Sequence, residues 1–140
     1  MATEFPFVTS DGTVTLPSLP TFKEYDWDFE TDNFISDARG KHNLVEENAA
    51  LKVWILKAMS TERFSYLAYT PRYGIELKPF IGKVMGVGER KSELKRMIVE
   101  CLMVNPYIKS IDKIEFSESE HNRALAVNIE LTTVYGKMTV

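Results

Sequence analysis

Cysteine occurs once in this chain of 140 residues, at Cys101, which excludes an internal disulfide and a multi-cysteine zinc site. Histidine is nearly as scarce. His42 and His121 lie far apart in the sequence, and neither anchors a metal alone. No apolar run approaches the length of about 18 residues that a membrane-spanning helix needs. The N-terminus lacks a basic stretch followed by an apolar one, so no secretory signal is expected. Excess positive charge is missing too. Seventeen Lys and Arg stand against twenty Asp and Glu, a net charge of -3, which argues against a general nucleic-acid binder. What is present is ordinary: 44% hydrophobic and 26% charged residues, in a chain long enough to bury a core of its own. The expectation is an intracellular protein without metal or cofactor.

The first 21 residues stand apart, with no Lys or Arg and with Pro6, Pro17 and Pro20 among many Ser and Thr. They read as an extended arm or a disordered tail; Phe5, Phe7, Val8, Val14 and Leu16 suit an arm that docks on a neighbour. Residues 22–140 read as a single domain. Tyr25, Trp27 and Phe29 alternate with acidic residues, predicting a strand over Phe22–Phe29, with a second near Asn33–Asp37. Leu51, Trp54, Ile55, Ala58 and Met59 form a helical stripe, with Asn43 as N-cap and a stop near Ser60 or Thr61. Phe64–Thr70 reads as a short aromatic strand, and Tyr73–Ile81 as a short helix that Pro79 limits. Gly82, Gly86 and Gly88 mark a mobile loop before a helix over Glu89–Val104, whose stripe is Leu94, Met97, Ile98, Cys101 and Leu102. Two strands follow, over Ile108–Phe116 with a bulge and from Leu125 onward, separated by a polar turn over Glu118–Asn122. Lys137–Val140 reads as an edge strand after Gly136. The fold class is α+β: a small mixed sheet packed with two main helices, plus the extended arm.

Several chemical constellations fail on inspection. An EF-hand needs glycine at its sixth position and glutamate at its twelfth. Counting from Asp26 these are Thr31 and Asp37, and from Asp28 they are Asn33 and Arg39, so the acidic series is a solvated face. The glycines after Ile81 lack the spacing of a phosphate loop. Cys101 sits on an apolar stripe, without the electropositive setting of a reactive thiol. Glu62 and Glu76 qualify as a glycosidase pair only as any two acids would. Glu62 with Arg63, directly after the first helix, is more specific; by itself it reads as a surface ion pair worth about 0–1 kcal/mol.

A wider set of residues carries a resemblance. Ala50-Leu51-Lys52-Val53-Trp54-Ile55, Ser60-Thr61-Glu62-Arg63-Phe64, Tyr69, Tyr73-Gly74-Ile75-Glu76-Leu77 and Ile81-Gly82 occur in that order. Asn105-Pro106, Ile108-Lys109-Ser110-Ile111 and Thr132-Thr133-Val134-Tyr135-Gly136 follow. From Tyr25 to Val140 the chain resembles the XkdS-like family, small baseplate proteins of contractile phage tails and R-type bacteriocins. It is more distantly similar to the small wedge component of large contractile phages and to TssE of type VI secretion, the sheath-initiator group. In that group a Thr-x-x-Gly-Glu-Arg-like turn and a Pro-x-Phe/Tyr-Gly motif recur. Thr61-Glu62-Arg63 and Pro71-Arg72-Tyr73-Gly74 match them, without a glycine before Glu62.

The resemblance implies a non-enzymatic baseplate component, assembled in the bacterial cytoplasm, six copies to a particle. Glu62, Arg63, Tyr73 and Gly74 would bind the helical bundle of the larger wedge subunits. Lys137, Met138, Thr139 and Val140 would form the edge that receives an arm of the tail sheath protein by strand addition. The N-terminal arm is left to reach central hub or tube proteins. No nucleic acid, membrane or cofactor is implied. The rival readings are a peptidoglycan-degrading tail lysozyme and an assembly chaperone absent from the finished particle.

Overall fold

Two tyrosines receive the chain where its described part begins. In the computed structural model, residues 18–118 and 125–140 are described. Tyr107 Oη donates to Pro20 O at 2.7 Å, and Phe22 N–H donates to Tyr135 Oη at 2.8 Å. The Phe22 ring lies 4.9 Å from that of Tyr107, itself stacked on Tyr135 at 6.2 Å. Most of the expected arm (residues 1–17) lies outside the described residues, as do His121 and the turn after Glu118.

The α+β class holds, with two main helices. The strands form three antiparallel sheets instead of one mixed sheet. The strand expected over Phe22–Phe29 is divided at Asp26 into β1 (Lys23–Tyr25) and β2 (Trp27–Asp28). Asp26 donates its N–H to Asn43 O and accepts from Ile35 N–H, so its backbone links two small sheets. One is β2 with β3 (Asn33–Phe34); the other is β1 with β4 (Leu44–Glu46).

Strand β4 displaces the expected cap. Asn43 lies before it, and the first helix, α1 (Glu47–Ser60), starts from extended Glu46 with no side-chain cap. Its first amide, Glu47 N–H, donates to Phe22 O at 2.9 Å. Leu51, Ile55 and Ala58 are buried as the stripe predicts, but Ala50 and Val53 are buried as well. A helix apolar on several faces is buried on several faces, as α1 is.

The second helix, α2 (Val87–Leu102), begins two residues before its expected start and takes Gly88 into its first turn. It buries Met97, Ile98, Cys101 and Leu102 against α1 and the main sheet. That sheet has the order β5 (Ile108–Glu118), β6 (Leu125–Thr133), β7 (Gly136–Thr139). Alternation along β6 turns Ile129 and Leu131 into the core, while Asn128 and Glu130 face solvent. Two register shifts interrupt β5, where a bulge was expected. Buried Thr133 donates to Asn48 Oδ1 at 2.6 Å, tying the start of α1 to the β6–β7 turn.

Two expectations between the helices are corrected. Phe64–Thr70 is a series of turns, not a strand. Aromatic composition favours the pleated conformation, but these residues have no edge to pair with, and Phe64 reverses the chain at φ 66°. The helix expected over Tyr73–Ile81 shrinks to one 3-10 turn, Lys78–Phe80, with Pro79 near its start.

Candidate functional site

Beyond Ser60 the chain leaves α1 in an extended conformation and meets the segment that follows Tyr73. Ile75 N–H donates to Thr61 O and Arg63 N–H donates to Ile75 O, both at 2.9 Å, forming a parallel bridge between Glu62 and Ile75. The two backbones approach closely at Gly74, whose φ is +97°; a Cβ there would stand 2.6 Å from Thr61 O. Only glycine fits without moving the backbone.

The Glu62 carboxylate closes the loop. Its Oε1 accepts Lys78 N–H at 2.9 Å and Leu77 N–H at 3.1 Å. These amides open the 3-10 turn, where no intrahelical acceptor exists, so the carboxylate acts as a cap placed far away in sequence. Among the described residues Glu62 and Arg63 form no ion pair with each other. Arg63 instead donates Nε–H to Gly74 O at 3.2 Å. Its side chain lines a groove between the 76–85 segment and α2, shared with Glu76, Phe80, Lys83, Arg96 and Glu100. Tyr73 lies between the Tyr69 ring at 4.7 Å and the Trp54 ring at 6.0 Å. Burial raises its phenol pKa above the usual value, with the neighbouring Tyr69 adding to the rise. The structure thus brings the four residues expected to bind the wedge into one clamp.

Sequence reasoning missed what the clamp carries. Phe64 is 69% exposed, Leu67 stands fully in solvent, and Tyr66 and Tyr69 are at least half exposed. These four form a crest on the loop, with Tyr66 and Tyr69 edge to face at 6.0 Å. Their aromatic content was visible; without a partner strand to pair with, it signals a surface instead of a sheet.

The second feature is the edge of the main sheet. Strand β7 pairs with β6 from Gly136↔Thr133 to Thr139↔Glu130, and Ile129 and Val140 exchange both backbone hydrogen bonds at 2.8 and 2.9 Å. Antiparallel alternation then aims the N–H and C=O of Gly136, Met138 and Val140 at β6, and those of Lys137 and Thr139 away from it. Among the described residues no strand lies on that outer side. Strand β6, by contrast, is flanked by β5 and β7, although β7 covers only its last residues. The opposite edge of the sheet is β5, with its two register shifts and charged residues such as Lys109 and Asp112, features that discourage pairing.

The discarded constellations have structural reasons. Cys101 is buried, and burial pushes its thiol up to about 11, against a smaller opposing pull from Arg63. Asp28 holds the β2–β3 turn by accepting from Thr31 Oγ1 at 2.7 Å and Glu30 N–H at 2.9 Å. Among the described residues no group of three or more His, Cys, Asp or Glu side chains could hold a metal ion.

Comparison with known proteins supplies the wider context. A family model described as contractile injection system sheath initiator matches residues 23–136, well over half of the chain. No curated protein matches it. The match spans the clamp, the crest and the start of β7.

Proposed function

The chain belongs to the contractile injection system sheath initiator family, and on that footing we propose that it is a baseplate adaptor with two separate contact surfaces. The clamped loop of Glu62, Arg63, Tyr73 and Gly74 presents the crest to the larger wedge subunits. The β7 edge, from Lys137 to Val140, receives an arm of the first sheath ring. Six copies around the tail would then couple baseplate rearrangement to sheath contraction. The N-terminal arm would contact the central hub or tube.

The observation that carries this reading is the presence on one chain of an exposed apolar crest and of a sheet edge that no strand covers among the described residues. A crest of Phe64, Tyr66, Leu67 and Tyr69 exposes apolar area that folding alone does not use. Strand addition at Lys137 and Thr139 would supply up to four main-chain hydrogen bonds of about 0.5–1.5 kcal/mol each. The tail-lysozyme alternative gains no comparable support. One acid of its nominal pair, Glu62, is engaged by backbone amides.

Co-purification from assembled particles tests both surfaces. Arg63→Ala combined with Tyr66→Ser and Leu67→Ser should abolish recovery with wedge subunits while the variant still folds. Removing Lys137–Val140 should leave wedge binding and abolish sheath attachment. Wild-type recovery in both cases would end this proposal.

A further inference from the structure

A third surface lies on neither the clamp nor the β7 edge. Tyr25 pairs across strands with Leu44, and its ring meets Phe34 and His42, both at 6.1 Å. Phe34 in turn lies 4.5 Å from His42 and 4.7 Å from Trp27. Tyr25 is 47% exposed, Leu44 56%, and Phe34 39%. This is a continuous apolar and aromatic face on the two small sheets.

The two sheets and the turns that join them are rich in acidic residues. Glu24, Asp26, Asp28, Glu30, Asp32 and Asp37 fall within one stretch that contains no Lys or Arg. Between Lys23 and Glu46 acidic residues outnumber basic ones seven to three, a net -4 against -3 for the whole chain. The chain's entire negative excess therefore falls within this region, whose basic residues are Lys23, Arg39 and Lys41, the last two in the turn that leads to His42. The rings already accept a cation from their own chain: Lys57 Nζ stands 5.2 Å from the Trp27 ring and 5.8 Å from that of Phe34, bonded to Glu24 at 3.4 Å. Aromatic faces beside carboxylates attract ammonium and guanidinium groups both through the ring quadrupole and through charge.

The geometry points to this face as a docking surface for a basic segment of another polypeptide, one that interleaves Lys or Arg with aliphatic side chains. Aliphatic residues would cover Tyr25, Phe34 and Leu44, while the cations would meet carboxylates of the adjoining β2–β3 turn, Glu30 and Asp32 among them. Charge complementarity selects this occupant over the chain's own N-terminal arm, whose first 21 residues contain no Lys or Arg. The surface does not depend on the wedge and sheath contacts, and its test needs neither partner.

The test titrates the isotope-labelled full-length protein with a capped peptide of alternating lysine and leucine, following backbone amide shifts. The expected shifts concentrate between Glu24 and Leu44, and binding weakens about tenfold from about 50 to about 300 mM salt. Asp26→Asn, Glu30→Gln and Asp32→Asn together should weaken binding about tenfold. Glu93→Gln, Glu115→Gln and Glu118→Gln, an equal change of charge elsewhere, should leave it intact. Tyr25→Ser provides a second, uncharged variant with the same expected loss. Shifts scattered over the whole surface, or equal losses in the two charge variants, would overturn the proposal as general attraction. Tighter binding by about tenfold on removal of residues 2–17 would also overturn it, by making the arm the natural occupant.

Discussion

The Glu62 carboxylate accepts the Lys78 amide at 2.9 Å across 16 residues of sequence, turning an acid at the end of one helix into the cap of another turn. That contact and the Glu62–Ile75 bridge close the segment that carries the exposed aromatic residues, and Lys78 Nζ adds a bond to Ser65 Oγ at 2.7 Å. The Glu-Arg pair therefore has divided roles. Glu62 shapes the loop, while the Arg63 side chain, among the described residues, makes a single hydrogen bond, to Gly74 O.

Glu62→Ala should destabilise the protein by about 1–2 kcal/mol, the usual cost of losing a cap with charged hydrogen bonds. Amide exchange at Leu77 and Lys78 should accelerate at the same time. Glu62→Gln keeps a neutral acceptor and should cost less. Unchanged exchange in the alanine variant would remove the capping role.

Gly74→Ala should be more damaging, by about 2–3 kcal/mol, because it combines a left-handed backbone with a collision. The added methyl would meet Thr61 O at 2.6 Å. Denaturant melts check this, and a loss below that of Glu62→Ala would mean that the loop yields easily.

Proline substitution reads the direction of each backbone group in β7. Thr139→Pro removes an outward N–H and should block sheath attachment with a modest effect on stability. Met138→Pro removes an inward N–H bonded to β6 and should destabilise the sheet itself. Thermal melts paired with electron microscopy of particles separate the two. Normal sheath on Thr139→Pro particles would mean that β7 is not the acceptor.

Cys101 should resist alkylation in the native protein at neutral pH and react fully once denaturant is added. Its raised pKa also sets a sign. The native thiol holds its proton up to about 11, while the unfolded thiol releases it near 9.0. The unfolded state therefore binds fewer protons in that window, and this contribution to stability is present below it and lost as pH rises through it. Cys101→Ala should flatten that part of a stability-pH curve.

Much of this architecture was legible in residue order. The α2 stripe and the alternation of β6 each follow from a single period, because one face of each element meets the core. The edge position of Lys137–Val140 also came through, since Gly136 turns the chain at φ 114° directly after a clean strand. Misreadings fell where composition and context disagree. Phe64–Thr70 has strand-like residues and no partner, Asn43 has a capping side chain but sits before a strand, and α1 hides faces that its expected stripe left outside.

The sequence alone determined the α+β class, the core faces of α2 and β6, and the family resemblance carried by Glu62, Arg63 and Tyr73-Gly74. Those properties are local, set by periodicity, turn residues and a few neighbouring side chains. Only the tertiary structure decided that Glu62 spends its charge on distant amides, that the aromatic run becomes an exposed crest, and that Lys137 and Thr139 face outward. Each depends on which groups from remote parts of the chain come within hydrogen-bonding distance, and no short-range pattern in the sequence encodes that distance.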